Sequence, residues 1–510
     1  MDSIKELLTT AAEKFPDIAA LKWVKNNEIR QITYSELNSL VTQVRRGLNS
    51  EGLEKSHIAL VGTSSLPWVA SYLAITTGSN TAVPLDPLLP SEDLIKLINR
   101  SDSEAVFLEE TNLLLAEKIK ADCPLVKKIF VLCTEKTDSY PSLGDLKTEA
   151  IAKTEEASNS GDDTAMIIFT SGTTGISKGV MLSQNNLISN VEAVEYDVAP
   201  GKTLLSVLPI HHAFCLVMDY LKGFSLGATI CINDSFLHMA KNMTLFKPEV
   251  MLMVPMMVET IYKKLESTAK LLPKKLVAQK AFGGNLKTVF VGGAHLDEFY
   301  IDKFTSYGVD ILEGYGMSEC SPVISSNTPT CHKPGSVGKV LKNALVSFDN
   351  GEILVRSTSV MKGYYKMPEE TNDVLRDGWL HTGDKGYIDD DGFLFINGRV
   401  KNLIILSNGE NISPEELEGK LSLNRLIDEI VITGEGNVLT ARIYPDQDII
   451  QKKKWSEETV LSEVQKIIDD FNRSQPTYRR ISHIMIRHNP FIRNTTKKIL
   501  RQKAFLDEPA

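Results

Sequence analysis

Short apolar runs of strand length alternate with amphipathic segments from residue 58 to residue 292, and this alternation restricts the fold more than any other feature. Segment 33–48 is an example of a predicted amphipathic helix. Thr33 and Glu36 have capping-box spacing, and the apolar residues fall on one helical face. Regular alternation of this kind favours parallel strands joined by crossover helices. The predicted strands are IALVG (58–62), AVPL (82–85), AVFL (105–108), IFVL (129–132), AMIIF (165–169), LLSVL (204–208), TICI (229–232), VMLMV (250–254) and TVFVG (288–292).

The polar stretch 154–163 divides these strands into two series, which we interpret as two doubly wound sheets. Between residues 335 and 400, Asn350-Gly351 and Asp391-Gly392 lie between alternating runs, and both dipeptides are hairpin signals. This part is expected to be antiparallel and partly barrel-like. Beyond it, the sequence predicts helices at 414–421 and 456–472 and strands at 429–433 and 438–443.

The predicted fold class is therefore α/β with two domains. A large N-terminal domain, residues 1–399, holds the two doubly wound sheets and the barrel-like section. A small α+β domain follows at residues 400–510. At 510 residues the chain is too long for one ordinary hydrophobic core, which agrees with this division.

Composition and charge exclude several classes of protein. Hydrophobic residues make up 42% and charged residues 24%, as in soluble globular proteins, and the formal net charge of −9 argues against a general nucleic-acid binder. The six cysteines are scattered without metal-ligand spacing, the start of the chain is not a signal peptide, and no apolar run is long enough to span a membrane. We expect a cytoplasmic protein with at most peripheral membrane contact.

One stretch departs from this acidic balance. Residues 471–503 contain nine Lys or Arg and no Asp or Glu. Such a stretch is typical of a phosphate-facing surface, and equally of an ordinary solvated face. A nucleic-acid or membrane-surface binder using this stretch is one alternative function.

The strongest local motif is IFTSGTTGISKG at 168–179, directly after a predicted buried strand. Its glycines and hydroxyl residues form a flexible loop whose backbone N–H groups can surround phosphate oxygens, and Lys178 adds a cation. The spacing is not that of a Walker A loop. The alternative is a plain turn between two elements.

This segment resembles the phosphate loop of the adenylate-forming superfamily, which contains acyl-CoA synthetases, luciferases and peptide-synthetase adenylation domains. Further segments resemble the motifs of that family in the same order, and the chain is most similar to long-chain fatty-acid–CoA ligases. These segments are LPIHHAF (208–214), VGGAHL (291–296), EGYGMSE (313–319), WLHTGD (379–384), INGRVKN (396–402), SNGENISPEELE (407–418) and NPFIRNTTKKILR (489–501).

The resemblance implies a role for each matching residue. Lys498 is the implied catalytic lysine, His212 lies beside the acyl carboxylate, and Glu319 is the magnesium ligand. Lys401 is the implied hinge about which a mobile small domain rotates, and Gly409 lies in the loop that meets the thiol arm. The implied ATP and AMP ligands are Thr170, Ser171, Gly172, Thr173, Thr174, Gly175, Lys178, Gly292, Gly293, Ala294, Gly314, Tyr315, Gly316, Ser318, Asp384 and Arg399.

The reaction implied by the resemblance uses ATP and Mg²⁺ to convert a carboxylic acid into an acyl-adenylate. The acyl group then passes to the thiol of coenzyme A, with release of AMP and pyrophosphate. An acyl carrier protein bearing the same pantetheine thiol is the alternative acceptor, and a non-catalytic nucleotide-binding protein is a further alternative.

The sequence says less about the acid. Residues 213–224 are mostly apolar, which favours a fatty or other hydrophobic acid, although Asp219 leaves an α-ammonium group open. Four methionines at 251, 253, 256 and 257 could line a deformable acyl tunnel or simply pack in the core.

Overall fold

The computed structural model describes residues 1–149, 160–170, 177–269, 273–405, 411–435, 438–493 and 499–505. It confirms an α/β chain with a large N-terminal part of mixed sheets and a smaller C-terminal domain. The capping box predicted for the helix Tyr34–Ser50 is present, with both hydrogen bonds between Thr33 and Glu36.

A seven-stranded sheet contains the first predicted series of strands. Its central strands are parallel, whereas Lys178–Ser183 pairs antiparallel with both of its neighbours. The spatial order is Gly363–Tyr364, Lys178–Ser183, Thr164–Thr170, Thr81–Leu85, His57–Val61, Ser103–Leu108 and Lys128–Val131.

A nine-stranded sheet contains the second series. Parallel pairing runs through its centre, from Asp310–Gly316 to Ala19–Lys25, and the strands at both edges are antiparallel. The spatial order is Lys339–Val340, Val323–Ser326, Asp310–Gly316, Thr288–Val291, Val250–Met253, Thr203–Ser206, Thr229–Ile232, Ala19–Lys25 and Glu28–Thr33.

The division into two series differs from the prediction at one strand. AMIIF, which we assigned to the second series, forms Thr164–Thr170 and lies in the seven-stranded sheet beside Thr81–Leu85. Conversely, the hairpin of Ala19–Lys25 and Glu28–Thr33 joins the nine-stranded sheet. Each sheet therefore takes strands from both parts of the sequence.

Helices pack against these sheets and enclose a large hydrophobic core, which includes Trp68, Phe107, Phe130 and Phe224, and a smaller second cluster that includes Val106. A π-helix, Phe214–Leu221, follows the strand Thr203–Ser206. The α-helices of this part are Ile4–Lys14, Tyr34–Ser50, Leu66–Thr77, Ser91–Arg100, Leu115–Asp122, Leu143–Glu149, Gln184–Ala193, Lys222–Ser225, Met239–Phe246, Pro255–Ala269, Lys274–Ala281, Glu298–Thr305 and Pro368–Val374.

Both predicted hairpins are present in a five-stranded antiparallel sheet. At the first turn Asn350 and Gly351 have φ angles of 48° and 82°, the positive values that a tight hairpin turn requires. The strands are Ala344–Asp349, Glu352–Ser357, Leu375–Arg376, Trp379–Ile388 and Leu394–Arg399.

The C-terminal domain has its own core, which includes Leu417, Ile430, Val464 and Ile468. Its predicted helices and strands are confirmed, and a further strand pairs parallel with Val438–Pro445. The elements are Ile404–Ile405, Asn411–Ile412, Pro414–Leu421, Ile427–Glu435, Val438–Pro445, Gln447–Lys453, Glu457–Arg473 and Ile481–Ile486.

The arginines of the basic stretch 471–503 mostly contact groups within this domain. Arg493 binds Glu429 at 2.8 Å, and Arg479 and Arg501 pair with glutamates of the helix Pro414–Leu421. Arg487 donates to the carbonyl of Ala504. These contacts explain much of the basic charge as internal pairing.

No helix among the described residues is long and apolar enough to cross a membrane.

Candidate active site

Three predicted nucleotide ligands meet where the nine-stranded sheet faces the five-stranded sheet. The strand Trp379–Ile388 places Asp384 directly opposite Arg399 in register. Arg399 donates from Nε to Oδ1 of Asp384 at 2.8 Å, and the hydroxyl of Tyr315 donates to Oδ2 at 2.8 Å. We call Tyr315, Asp384 and Arg399 the Asp384 cluster.

Both oxygens of Asp384 therefore have a donor, and one donor is a cation. The side chain of Asp384 is buried, with 9% of it exposed, while the Arg399 side chain is about half exposed. The negative charge of Asp384 is the main reason why the pKa of Arg399 is raised, and Glu319 adds to the effect. Glu319 thus lies within electrostatic reach of this cluster.

A second group forms around the predicted magnesium ligand. Glu319, in the 3₁₀ turn Ser318–Cys320, is buried, and its Oε1 accepts a hydrogen bond from the hydroxyl of Tyr364 at 2.8 Å. The Nζ atom of Lys178 lies 4.7 Å from the centre of the Tyr364 ring. We call Lys178, Glu319 and Tyr364 the Glu319 cluster.

The backbone holds this second cluster together. Thr170 and Lys178 are register partners on either side of the predicted phosphate loop, and Tyr364 pairs with Val180 in the next strand. The backbone N–H of Met361 donates to the carbonyl of Glu319 at 2.8 Å. The two ends of the loop and the carboxylate are therefore fixed to the same edge of the seven-stranded sheet.

Burial, with the neighbouring carboxylate as a smaller cause, raises the pKa of Tyr364 and of Tyr315. Both phenols therefore stay protonated at neutral pH. Each acts as a neutral hydrogen-bond donor to its carboxylate.

The predicted nucleotide ligands Gly292, Gly293 and Ala294 directly follow the strand Thr288–Val291. A Cβ on Gly292 would lie 3.3 Å from the ring of Phe214 and 3.8 Å from the carbonyl oxygen of Gly314, so the two motifs approach each other closely. Gly293 has φ +87°, and Ala294 follows it at an exposed position. Gly292 thus faces Phe214 at the start of the π-helix.

At Gly316 the missing side chain serves the chain's own packing. A Cβ there would lie 2.0 Å from the carbonyl oxygen of Pro322. The resemblance also implies that Gly314 and Gly316 leave room for an acyl chain, but at Gly316 backbone fills this space. Ser318 starts the turn that presents Glu319.

His212 lies beside His211, with the ring centres 4.3 Å apart. Burial lowers the pKa of His211 to about 4, so this imidazole is neutral at physiological pH. Its Nε2 lies 3.6 Å from a carboxylate oxygen of Asp86. Through Phe214, which contacts Gly292, this histidine segment reaches the nucleotide side of the site.

Several predicted residues lie outside the described residues: Ser171, Gly172, Thr173, Thr174, Gly175, Gly409 and Lys498. Lys401 is described, and it lies in the exposed turn Val400–Asn402 immediately after Arg399.

Magnesium fits the Glu319 cluster by its chemistry. Mg²⁺ is usually held by one or two carboxylates together with substrate phosphates, so it needs no dedicated protein cage. Glu319 would supply one hard oxygen ligand next to the phosphate-loop strands. Among the described residues, no group of three or more His, Cys, Asp or Glu could hold a metal ion by itself.

The region predicted to hold the acid is buried and largely apolar. Met251, Met253 and Met257 are core residues, and Met256 is partly exposed. Asp219 is fully buried in the π-helix, where Cys215 is a neighbour, and burial raises its pKa to about 7.

Sequence reasoning missed Tyr364. The only signal was its place in a Gly-Tyr-Tyr segment after the Glu319 motif. Its role depends on a contact between residues 45 positions apart, which local patterns do not show.

Two family models match the chain. One, described as AMP-binding enzyme, matches residues 8–365, and the other, AMP-binding enzyme C-terminal domain, matches residues 401–508. The resemblance expected from the motifs is therefore confirmed.

Curated relatives cover most of the chain. A long-chain-fatty-acid–CoA ligase of Bacillus subtilis (strain 168) is 29% identical over 480 residues, covering 85% of this chain and 82% of that protein. A chloroplastic long-chain-fatty-acid–[acyl-carrier-protein] ligase, AEE15 of Arabidopsis thaliana, is 26% identical over 576 residues, covering 90% and 79%. Both names denote acid–thiol ligases, the enzyme class that the motifs predicted.

Among solved structures, the anthranilate CoA ligase AuaEII in complex with anthranoyl-AMP has the same fold. Its TM-score is 0.84 at 21% identity, covering 98% of this chain and 96% of that one. The match extends over both the N-terminal part and the C-terminal domain. The family models, which match residues 8–365 and 401–508, show that this chain belongs to the AMP-binding enzyme family.

Proposed function

We propose that this protein activates a hydrophobic carboxylic acid with ATP as an acyl-adenylate and transfers the acyl group to coenzyme A. AMP and pyrophosphate are the other products. The observation that carries the proposal is a pair of carboxylate clusters: the Glu319 cluster lies beside the phosphate-loop strands, and its carboxylate is within electrostatic reach of Arg399 in the Asp384 cluster. The Asp384 cluster suits the ribose of a nucleotide, and the Glu319 cluster suits a cation with its phosphates.

The first step brings a carboxylate to a polyphosphate, so its barrier is mainly electrostatic. Bound Mg²⁺ would supply positive charge at the phosphates. Lys178 adds a fixed cation at the end of the phosphate loop, and Lys498 is proposed to offset charge on the α-phosphate. Asp384 would accept hydrogen bonds from the ribose hydroxyls while Arg399 keeps its charge compensated.

His212 is proposed to lie beside the acyl carboxylate. Because Lys498 would obstruct the incoming thiol, we propose that the C-terminal domain reorients about Lys401 and brings Gly409 to the site. This places the domain boundary between residues 399 and 400. Conformational steps of this kind often limit turnover.

The apolar surroundings of the π-helix support a fatty or other hydrophobic acid. The one carboxyl group of this segment, Asp219, is fully buried and accepts a hydrogen bond from Cys215 within the same helix. A relative that uses fatty acids supports the same choice, whereas the structural neighbour acts on an aromatic acid.

The second candidate is transfer to the pantetheine thiol of an acyl carrier protein. One relative is named as a ligase of that kind, and another as a CoA ligase. The same active site serves both acceptors because both present the same thiol.

The test is ATP–pyrophosphate exchange with purified protein across fatty, aromatic and amino acids, followed by thioester formation with free coenzyme A or a holo carrier protein. We expect exchange with hydrophobic acids and thioester formation with coenzyme A. Absence of exchange with every acid would refute the proposal. Exchange followed by thioester formation with the carrier protein alone would select the second candidate.

Lys497 directly precedes Lys498 in the sequence, and half-reactions can separate the roles of these two lysines. Lys498→Ala should lower adenylate formation by roughly 10²–10³-fold, because one positioned cation is lost. Transfer from supplied acyl-adenylate should be largely unaffected. Lys497→Ala is the matched control and should change neither step by much, and equal loss of both steps in Lys498→Ala would contradict the assignment.

A further inference from the structure

Tyr364 touches both charged members of the Glu319 cluster. Its hydroxyl donates to Oε1 of Glu319 at 2.8 Å, and the face of its ring lies 4.7 Å from Nζ of Lys178. Only 6% of the tyrosine is exposed, so both contacts are formed away from bulk water. Both interactions depend on direction as well as on distance, so Tyr364 restrains the orientation of each charged side chain.

The backbone leaves Tyr364 little freedom. Its own N–H donates to the hydroxyl of Thr371 at 2.9 Å, and the neighbouring N–H groups of Lys362 and Tyr365 donate to carbonyls of the strand Lys178–Ser183. The side chain is therefore held by the same strand that carries Lys178.

We infer that Tyr364 is a positioning residue that orients the Glu319 carboxylate for the metal and keeps the Lys178 ammonium beside it. Its hydroxyl takes one lone pair of Oε1, so the second carboxylate oxygen keeps both of its lone pairs for a cation. This inference rests on the proposed function. In this arrangement Tyr364 links Lys178, the cation of the phosphate loop, to Glu319, the proposed metal ligand.

The substitution Tyr364→Phe tests the hydroxyl alone, because the ring that faces Lys178 is retained. The measurement is the Kd of ATP for the full-length protein by calorimetry, with excess Mg²⁺ and with EDTA, in the absence of any acid. We expect the Kd in EDTA to stay unchanged and the Kd in Mg²⁺ to rise about tenfold, the size typical of losing a group that orients a metal ligand.

Tyr365→Phe is the matched control. Its hydroxyl also donates to a carboxylate, Asp102 at 2.6 Å, on another part of the same sheet. We expect both Kd values to stay at the wild-type level. Tyr364→Leu removes the ring as well, so ATP binding in EDTA should also weaken as Lys178 loses its contact.

A double substitution shows whether the effect passes through Glu319. In a Glu319→Ala background, Tyr364→Phe should cause no further change in the Kd measured with Mg²⁺. An equal rise in that background, or a Tyr364→Phe variant whose Kd rises equally with Mg²⁺ and with EDTA, would overturn the inference. A wild-type protein that shows no Mg²⁺-dependent gain in ATP affinity would instead contradict the proposed function itself.

Discussion

The Asp384 cluster and the Glu319 cluster contain the same pair of groups, a carboxylate and a tyrosine hydroxyl at 2.8 Å, but differ in the third member. Arg399 donates directly to Asp384 at 2.8 Å, whereas Lys178 contacts the tyrosine ring of the other cluster. Within the described residues, Glu319 forms no ion pair. Among the described residues, a cation therefore contacts the carboxylate of Asp384 directly but not that of Glu319.

This difference assigns different ligands to two similar carboxylates. A compensated carboxylate still has lone pairs that accept hydrogen bonds, which suits neutral hydroxyl groups. An uncompensated buried carboxylate gains most from a cation. The arrangement therefore predicts ribose at one end of the site and metal-bound phosphate at the other.

The largest expected effect comes from removing the uncompensated charge. Glu319→Gln keeps the shape of the side chain but not its charge, so Mg²⁺-dependent ATP–pyrophosphate exchange should fall by about 10²–10³-fold. The gain in ATP affinity from Mg²⁺ should also be lost. The control is Glu369→Gln, an exposed glutamate in the helix Pro368–Val374, which should behave as wild type. Full activity of Glu319→Gln would remove the basis of the comparison.

Asp384→Asn should give a smaller and different change. The KM for ATP should rise about tenfold, because hydrogen bonds to a charged acceptor are replaced by weaker ones and Arg399 loses its counter-charge. The Mg²⁺ dependence should stay as in wild type. Preference for ATP over 2′-deoxy-ATP and 3′-deoxy-ATP should decrease, since the proposed acceptor for the ribose hydroxyls has changed.

The control for this change is Asp391→Asn, in the turn at the end of the same strand, where the side chain is exposed and pairs with Lys333. It should leave the KM for ATP unchanged. If Asp384→Asn instead altered the Mg²⁺ dependence and spared the choice of sugar, the two carboxylates would have the opposite roles.

The sequence predicted each of these charged residues, but not the contacts that distinguish them. The sequence predicts that Asp384 and Arg399 lie near each other, because they flank the hairpin turn that Asp391-Gly392 indicates. The contact from Tyr315 to Asp384 joins two sheets over 69 positions, and the Tyr364 contact is also long-range. Periodicity reports which face of an element is buried and does not report which element lies opposite it.

The same limit explains the error in dividing the strands. AMIIF has the composition of any buried parallel strand, so nothing local shows which sheet it joins. The hairpin turns and the capping box are specified within a few residues, and there the prediction was correct. Signals within a few residues therefore determine the helices and hairpins, whereas contacts between distant residues determine the geometry of the site.

The smallest expected effect concerns a third buried carboxyl group, that of Asp219, which forms no ion pair among the described residues. Burial raises the pKa of Asp219 to about 7, against 3.8 for the free side chain. From about pH 4 to pH 7 the folded protein binds a proton that the unfolded chain has released, so stability falls as pH rises through this window. Asp219→Asn cannot titrate. The Tm of this variant minus that of wild type should therefore rise by a few degrees between pH 5 and pH 8. For the control Asp302→Asn, at an exposed position, the same Tm difference should not change with pH. A Tm difference for Asp219→Asn that also stays constant would mean that this carboxyl group is charged in the folded protein.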